Sequence, residues 1–266
     1  MSSNEGPVDA RAAAYACRMP EGDALRRAAL RLRPLVGERV AASAPDPRGL
    51  RIARAVDGLV LESVDAVGKH LLLRFEGGIV VRSHLGMNGR WRIGPRDAPH
   101  RGRPWLVLRG NALEATQWNG ATLTLDDGKV RQLGPDLLAE STDIDALARR
   151  VAASDPTRLL GEALLDQRLV AGIGNMWLAE LLWHTRLSPW LPVGRADVSM
   201  LAQGLRWARH EMERAVHGAR PARSVYRRAG RACPRCGTVI RSRGLGEHNR
   251  IAYWCPSCQE PSPTLT

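Results

Sequence analysis

Near its carboxyl end the chain reads Cys233-Pro-Arg-Cys236 and, eighteen residues later, Cys255-Pro-Ser-Cys258. Two Cys-x-x-Cys knuckles at this separation are typical of a zinc site, because each knuckle directs two thiolates at one point and Zn²⁺ takes four ligands in a tetrahedron. Four thiolates leave no open coordination position. The spacing therefore predicts one structural Zn²⁺, bound by Cys233, Cys236, Cys255 and Cys258, with the chemistry of the protein elsewhere in the chain.

Two disulfide bonds are the alternative use of the same four cysteines. We favour the metal because the chain is basic and shows no recognisable secretory leader, so we expect a cytoplasmic location, where thiols stay reduced. The fifth cysteine, Cys17, is interpreted as an incidental thiol.

The segment between the knuckles predicts a β-hairpin. Residues 238–242 and 250–254 have the composition of strands, and residues 244–249 supply turn residues. Such a short hairpin has too little core to fold alone, so we expect the metal to hold it. It carries Arg241, Arg243 and Arg250, and it is therefore expected to offer cations to an anionic partner.

The composition favours a soluble protein that binds nucleic acid. The 266 residues suit one large or two ordinary domains, and no long apolar run indicates a membrane span. Thirty-nine Lys and Arg against 27 Asp and Glu give a formal charge of +12, which is common among nucleic-acid binders. A high-GC genome would also raise the arginine count, but arginines cluster between Arg220 and Arg250, which indicates a partner.

Hydrophobic periodicity divides the chain into two halves. Residues 1–18 lack periodicity and are expected to form a disordered extension. Helical spacing then covers residues 24–36, and short alternating runs favour an antiparallel sandwich as far as about residue 131. The runs are residues 58–62, 70–75, 78–82, 105–109 and 121–125. Helical patterns follow Gly134-Pro135, at residues 145–153, 159–169, 175–183 and 198–216.

A glycine-rich turn joins two of these helices, with the sequence Gln167-Arg-Leu-Val-Ala-Gly-Ile-Gly-Asn175. Asn175 stands where it could cap the second helix, and such a turn can present backbone N–H groups to a phosphate. An ordinary helical hairpin is the simpler interpretation, and the pattern alone favours it.

Five spaced motifs occur in order along the chain. They are Met19-Pro-Glu-Gly-Asp23, Gly68-Lys-His-Leu-Leu72, Leu133-Gly-Pro-Asp-Leu137, the segment 164–175 and the segment 250–259. Together they resemble the Fpg/Nei DNA glycosylases, which excise oxidised bases, and the similarity runs from residue 19 to about residue 259. The motifs look like that family's N-terminus, lysine loop, interdomain segment, helix–two-turn–helix and zinc-finger hairpin.

The resemblance implies an α+β fold. An N-terminal antiparallel β-sandwich flanked by helices would occupy residues 19–133, and a helical domain with the helix–two-turn–helix would occupy residues 134–222. The zinc finger would follow at 223–260, with a tail at 261–266. Damaged double-stranded DNA would bind between the two halves of a monomer that has no contact with a membrane.

The resemblance also implies a role for individual residues. Pro20, as the N-terminal residue, would attack C1′ of the damaged nucleotide and form a Schiff base, and Glu21 would act as acid and base. Lys69 would supply a cation or a proton near the base, and Asn175 and Arg250 would bind the flanking phosphates, with Arg250 also counted in the catalytic site. Without the family resemblance, Lys69 and Arg250 would be interpreted as solvated surface cations.

The nucleophile needs a free amine, which a proline inside the chain does not have, because its nitrogen belongs to an amide. We therefore expect the active enzyme to begin at Met19. Residues 1–18 would be either untranslated, through a misassigned start, or removed by processing. The third explanation is a chain that has lost its lyase activity.

One motif of the family's Fpg branch is missing. The stretch from Arg109 to Gly120 lacks the Asp-Pro-Arg-Arg-Phe-Gly loop of that branch, so the chain looks most like endonuclease VIII (Nei) of the actinobacterial type. Met87, in His84-Leu-Gly-Met-Asn88, is the candidate for the side chain that fills the gap left by the extruded base; a methionine that simply fills the core is the alternative.

The resemblance thus implies a bifunctional glycosylase and abasic-site lyase of base excision repair, acting on oxidised pyrimidines and cleaving by β/δ-elimination. A non-catalytic DNA-binding paralogue and a zinc-ribbon protein that binds RNA are the alternatives.

Overall fold

The computed structural model describes residues 20–100, 102–126, 128–246 and 250–260. The expectations for the extension 1–18, for Cys17, for Met19 and for the tail 261–266 fall outside these residues. Within the described part of the chain, none of the helices combines the length and the apolar character that crossing a membrane requires.

The N-terminal half contains two four-stranded antiparallel sheets with a shared core. Its strands are β1 (Ala41–Ser43), β2 (Leu61–Val67), β3 (His70–Phe75), β4 (Ile79–His84), β5 (Arg90–Pro95), β6 (Leu106–Arg109), β7 (Leu113–Trp118) and β8 (Thr122–Leu125). The strand order is β1-β6-β7-β5 in one sheet and β2-β3-β4-β8 in the other. Leu71 and Leu73 of the second sheet are fully buried in the same cluster as Leu106 and Leu108 of the first, which is the predicted sandwich.

Two helices of this half, α1 (Gly22–Leu32) and α2 (Leu50–Val56), flank the sheets. Leu25, Ala29 and Leu32 are buried on one face of α1, as helical spacing requires. The helix ends before the predicted residue 36, because a 3₁₀ turn that contains Pro34 follows Leu32.

The C-terminal half is built from α3 (Ile144–Ala152), α4 (Leu160–Leu165), α5 (Asn175–Thr185) and α6 (Val198–Val216). Asp143 and Asp197 cap α3 and α6 by accepting hydrogen bonds from backbone N–H groups of the first turn. The prediction of a helix at 159–169 is wrong for its second half, because α4 ends at Leu165. There the Asp166 carboxylate accepts a 3.0 Å hydrogen bond from the Arg168 N–H, and the chain turns.

The predicted hairpin consists of β9 (Arg241–Leu245) and β10 (Arg250–Trp254), which pair in antiparallel register. Its first strand begins three residues after the predicted residue 238, since Thr238 is used to close the knuckle through a 2.9 Å hydrogen bond from the Cys233 N–H to its carbonyl. Trp254 is buried and lies edge-on to Trp190. The predicted α+β class, with a sandwich, a helical region and a terminal hairpin, is confirmed.

Candidate active site and metal centre

Glu21 lies buried where the two halves of the molecule meet. It precedes α1, and its carboxylate accepts hydrogen bonds from the backbone N–H groups of Gly174 and Met176, each at 2.8 Å, and of Trp177 at 3.3 Å. These N–H groups belong to the amino end of α5, where they have no intrahelical partner and where the helix dipole favours a negative charge. A carboxylate of the sandwich half thus caps a helix of the other half.

The glycine-rich turn is shaped around this carboxylate. A Cβ atom at Gly174 would lie 2.3 Å from Cδ of Glu21, so only glycine fits there. The carbonyl of Gly172, whose φ is +99°, accepts a 3.0 Å hydrogen bond from the Gly22 N–H. The N–H groups that a phosphate could have used at the start of α5 are therefore occupied by Glu21.

Burial gives Glu21 and Lys69 unusual pKa values. It raises the pKa of Glu21 from 4.5 to about 7, against the opposing effects of the Lys69 charge and of the backbone N–H groups. It lowers the pKa of Lys69 from 10.5 to about 8, with the Glu21 charge acting in the opposite direction and Arg250 lowering the value further. Both groups can therefore exchange protons near neutral pH, as general acid–base catalysis requires.

The loop that carries Lys69 is fixed by an aspartate of the helical half. The Gly68 N–H donates a 2.8 Å hydrogen bond to one carboxylate oxygen of Asp136, and the other oxygen accepts from the Leu138 N–H, also at 2.8 Å. Gly68 has a φ of +57°, and a Cβ atom there would lie 3.2 Å from Cβ of Ala171. Asp136 and glycine at position 68 together hold Lys69 against Glu21.

Asn175 connects the same helix end to the hairpin. Its Nδ2 donates a 2.7 Å hydrogen bond to the carbonyl of Ile251, the residue after Arg250. Its Oδ1 is buried and has no hydrogen-bond partner within the described chain. Arg250 lowers the pKa values of both Lys69 and His84, so its positive charge reaches the same site. The structure thus brings Glu21, Lys69, Asn175 and Arg250 together.

Pro20 lies beside this group at the start of α1. It lines a cavity of about 110 Å³ together with Glu21, Met176 and Tyr226. The cavity opens between the sandwich half and the segment that leads to the cysteine knuckles. A small ligand part held there would contact Pro20 and Glu21 at once.

Met87 stands apart from the buried group. It lies in the turn between β4 and β5, and 57% of its surface is exposed, so it does not fill the core. The turn rests on the turn between β7 and β8, where a 2.9 Å hydrogen bond runs from the Ala121 N–H to the His84 carbonyl. A Cβ atom at Gly89 would lie 2.8 Å from Cα of Gly120, which shows how closely the two turns pack.

The four knuckle cysteines form one cluster. The sulfur atoms of Cys233, Cys236, Cys255 and Cys258 all lie within 4.8 Å of one another, and all four cysteines are free. The Sγ atoms of Cys236 and Cys255 are 3.4 Å apart, well beyond the length of about 2.05 Å of a disulfide bond. The disulfide alternative is therefore wrong for this structure, and the four sulfur atoms can hold one metal ion.

Two side chains join this cluster to the carboxyl end of α5. Trp183 donates its indole N–H to Sγ of Cys233 at 3.4 Å. Arg235, inside the first knuckle, donates to the carbonyls of Trp183 at 2.9 Å and His184 at 3.3 Å, and its guanidinium lies 4.1 Å from the centre of the Trp183 ring. The metal centre is thereby attached to the helix whose other end is capped by Glu21.

Sequence reasoning missed three residues that position the site. Besides Asp136 and Arg235, the buried Glu180 of α5 accepts hydrogen bonds of 2.8–3.0 Å from the backbone N–H groups of residues 224–226. Glu180 was detectable as an acid within an otherwise apolar helix, since a buried carboxylate needs partners. Asp136 and Arg235 stand within motifs that were noted, but nothing in the sequence shows their distant partners.

Comparison with known proteins gives two family matches. Residues 19–131 match the formamidopyrimidine-DNA glycosylase N-terminal domain, and residues 133–226 match the formamidopyrimidine-DNA glycosylase H2TH domain. Among curated proteins, the chain is 38% identical to a probable endonuclease 8 2 of Streptomyces coelicolor, over 92% of this chain and 96% of the relative. It is 39% identical to the DNA-(apurinic or apyrimidinic site) lyase Nei2 of Mycolicibacterium smegmatis, over 92% of this chain and all of the relative.

More distant similarity extends to formamidopyrimidine-DNA glycosylases themselves. The chain is 32% identical to the enzyme of Thermus thermophilus, over 92% of this chain and 99% of the relative. Among solved structures, the Lactococcus lactis Fpg bound to DNA with an abasic site superposes with a TM-score of 0.75 at 21% identity, over 91% of this chain and all of that one. This superposition shows a common fold.

Proposed function

This chain belongs to the family of formamidopyrimidine-DNA glycosylases and endonucleases 8, and we propose that it is a bifunctional DNA glycosylase and abasic-site lyase of base excision repair. The observation that carries the proposal is the buried Glu21 between Pro20 and Lys69, with a pKa near neutrality. A reaction that removes a base and then cleaves the sugar–phosphate backbone needs a nucleophile, an acid and a base in this arrangement.

Pro20 is the proposed nucleophile in a form of the chain that begins with it. Its secondary amine attacks C1′, and the bond from C1′ to the base breaks. Opening of the sugar ring then gives an iminium ion, which acidifies the proton on C2′. Loss of that proton expels the 3′ phosphate in β-elimination, and a second elimination expels the 5′ phosphate. The N-terminal family match begins at residue 19, which supports Met19 as the initiator, whose removal would leave Pro20 with a free amine.

Glu21 and Lys69 are the proposed proton carriers. Below a pH of about 7 Glu21 is protonated and can donate a proton as the ring opens; once ionised, it can accept the proton from C2′. Lys69, with a pKa of about 8, is mostly cationic at neutral pH and can stabilise the departing base or its neighbouring phosphate. Asp136 keeps it there through the Gly68 N–H.

Arg250 and Asn175 are the proposed ligands of the phosphates that flank the lesion. Arg250 is exposed on the hairpin and its charge reaches Lys69 and His84, so an anion placed there meets several cations. The Asn175 Nδ2 donates one hydrogen to the Ile251 carbonyl of the hairpin, and its second hydrogen can be donated to a phosphate oxygen. Met87 is exposed on the turn between β4 and β5. It is the proposed wedge, the side chain that fills the gap in the base stack when the damaged nucleotide is extruded.

We further propose that the metal is a single structural Zn²⁺. Four thiolates within reach of one point match the ligand set of closed zinc sites, and N–H groups of Trp183 and Arg235 donate to Sγ of Cys233 at 3.4 Å. The ion would fix the hairpin, and thereby Arg250, without taking part in the chemistry.

The proposed partner is damaged double-stranded DNA, and the protein is proposed to bind it as a monomer in the bacterial cytoplasm. The proposed domain limits are 19–133 for the sandwich, 134–222 for the helical domain and 223–260 for the zinc finger. Oxidised pyrimidines and abasic sites are the proposed substrates. The absence of the Asp-Pro-Arg-Arg-Phe-Gly sequence between residues 109 and 120 supports this choice, as do the relatives named endonuclease 8.

A panel of duplexes tests the proposal, each with one lesion: an oxidised pyrimidine, 8-oxoguanine or an abasic site. The chain beginning at Met19 should release oxidised pyrimidines and nick the abasic duplex, whereas Lys69→Ala should slow both steps and Arg74→Ala, remote from Lys69 at the other end of β3, should slow neither. Preferred excision of 8-oxoguanine would overturn the substrate assignment. Binding without any nicking would favour the non-catalytic paralogue.

A further inference from the structure

Two arginines at the edge of the sandwich take no part in the proposed catalytic site. Arg90 and Arg92 lie on β5, an edge strand, and share one face because alternate residues of a strand point the same way. Trp91 between them is buried in the core. Arg90 stands opposite Trp118 of β7, and the two guanidinium groups lie 5.0 and 5.6 Å from the centre of the Trp118 ring.

Trp118 orders these cations without neutralising them. Its ring is buried, and contact with an aromatic face holds a guanidinium in place while leaving its N–H groups available. Within the described chain no carboxylate lies within 4 Å of either arginine. The two acids near the far end of the same strand pair, Asp97 and Glu114, are engaged by other cations. Two exposed positive charges on one rigid strand are thus left for an external anion.

A groove connects this pair to Pro20. A cavity of about 160 Å³ between α1 and β5 is lined by Pro20, Arg31, Leu85, Arg90 and Arg92, among others. Arg31 is exposed on α1 and adds a third cation to the opposite wall. The groove therefore leads away from the proposed nucleophile along a wall of positive charge.

The Met87 turn joins the sheet that borders this groove to the sheet that carries the other cations of the site. The turn leaves β4, in the sheet that carries Lys69 and His84, and enters β5, in the other sheet. A wedge that enters a duplex has one strand on each side. The damaged strand is already assigned to the side of Lys69 and Arg250, so the second strand would meet the side of β5.

We propose that Arg90 and Arg92, held over Trp118, bind backbone phosphates of the DNA strand opposite the lesion. This inference rests on the proposed function, since it requires a damaged duplex in the cleft. Its consequence is a preference for duplex over single-stranded substrate that does not depend on the catalytic residues.

Equilibrium binding of the chain beginning at Met19 tests this assignment. The probes are a reduced abasic site in a duplex, the same site in a single strand, and a duplex whose undamaged strand has neutral methylphosphonates near the lesion. Arg90→Ala/Arg92→Ala should bind the duplex about tenfold more weakly, with a log–log salt slope shallower by about 1.8, as two phosphate contacts imply. It should bind the single strand as the wild type does.

The matched control is Arg39→Ala/Arg74→Ala, which removes two cations paired with Glu76 and Asp65 at the other end of the second sheet. It should leave duplex binding unchanged. On the methylphosphonate duplex, the wild type and Arg90→Ala/Arg92→Ala should bind equally. The assignment would be overturned if Arg90→Ala/Arg92→Ala bound the ordinary duplex as tightly as the wild type does. It would also be overturned if the double substitution weakened binding to the duplex and to the single strand by the same factor. A wild type that binds none of the probes would instead refute the proposed function.

Discussion

The two ends of α5 are held by side chains of opposite charge. At the amino end Glu21, from the sandwich half, accepts hydrogen bonds from three backbone N–H groups. At the carboxyl end Arg235, from the metal centre, donates to the carbonyls of Trp183 and His184. Each charge complements the helix dipole at its own end, so one helix joins the proposed catalytic acid to the metal centre.

The ends differ in what burial does to the charge. Glu21 is 4% exposed, and the effect of burial on its pKa outweighs that of its hydrogen bonds, so the pKa rises to about 7. Ionisation of Glu21 therefore lowers the stability of the folded protein. Arg235 is only partly buried, and its guanidinium stacks on the Trp183 ring. The amino end of α5 is suited to proton exchange, and the carboxyl end is suited to fixing the metal centre on the helix. Four substitutions test this contrast.

The largest effect is expected at the metal centre. Cys233→Ser should release the metal, unfold the hairpin and reduce nicking of abasic DNA by at least about a hundredfold, because ligation is part of the folding free energy of such a site. Metal content, circular dichroism and nicking rates measure this. Ser257→Ala, exposed in the second knuckle, should retain the metal and the activity. A metal-free protein that nicks at the wild-type rate would contradict the structural role.

A pH-dependent effect is expected at the amino end. Glu21 has a pKa of about 7 when folded and 4.5 when unfolded, so between these pH values the folded state binds more protons and stability falls as the pH rises. The wild type should lose about 3 kcal/mol between pH 4.5 and 7.5 relative to Glu21→Gln. Denaturant unfolding at both pH values measures the difference. Parallel pH dependence in the two proteins would show that Glu21 stays ionised.

A smaller loss is expected at the carboxyl end. Arg235→Ala removes two hydrogen bonds from a charged donor and the contact with Trp183, and should lower stability by about 2 kcal/mol. The metal should also be lost faster to a chelator, whereas the pH dependence assigned to Glu21 should persist. Arg231→Ala, exposed nearby, is the control. If Arg235→Ala abolished the pH dependence assigned to Glu21, the two ends of α5 would not have separate roles.

The smallest effect concerns the hairpin's contact with DNA. Arg250→Ala should weaken binding to a reduced abasic duplex and make the log–log salt slope shallower by about 0.9, the share of one phosphate. Arg74→Ala removes the same charge at the far end of β3 and should leave the slope unchanged. If Arg250→Ala also left the slope unchanged, Arg250 would be an ordinary surface cation.

The sequence predicted what local spacing encodes. The cysteine cluster follows from the two knuckles, and α6 runs from Val198 to Val216 as its periodicity indicated. The seven-residue α2 was missed because it is too short to show a helical period. The strand β5 was missed because its second half, Ile93-Gly-Pro95, is broken by residues typical of turns.

The geometry of the candidate site was not predictable from spacing. Glu21 contacts residues 153 to 156 positions away, and Gly68 contacts a side chain 68 positions away. No period extends over such separations, so the family resemblance alone brought Glu21 and Lys69 together. The glycine-rich turn illustrates the limit: its N–H groups bind a carboxylate of the chain, which its sequence does not distinguish from a phosphate.

The central claim is that Pro20 acts as an amine beside Glu21. Two forms of the chain, beginning at Met1 and at Met19, should be prepared, their N-termini established by mass spectrometry, and each treated with abasic duplex and borohydride. The short form, once removal of its initiator Met19 leaves Pro20 with a free amine, should be trapped covalently through Pro20, as peptide mapping would show, and the long form should not, because its Pro20 nitrogen is an amide. Trapping of the intact long form through Pro20, or of neither form, would contradict the account.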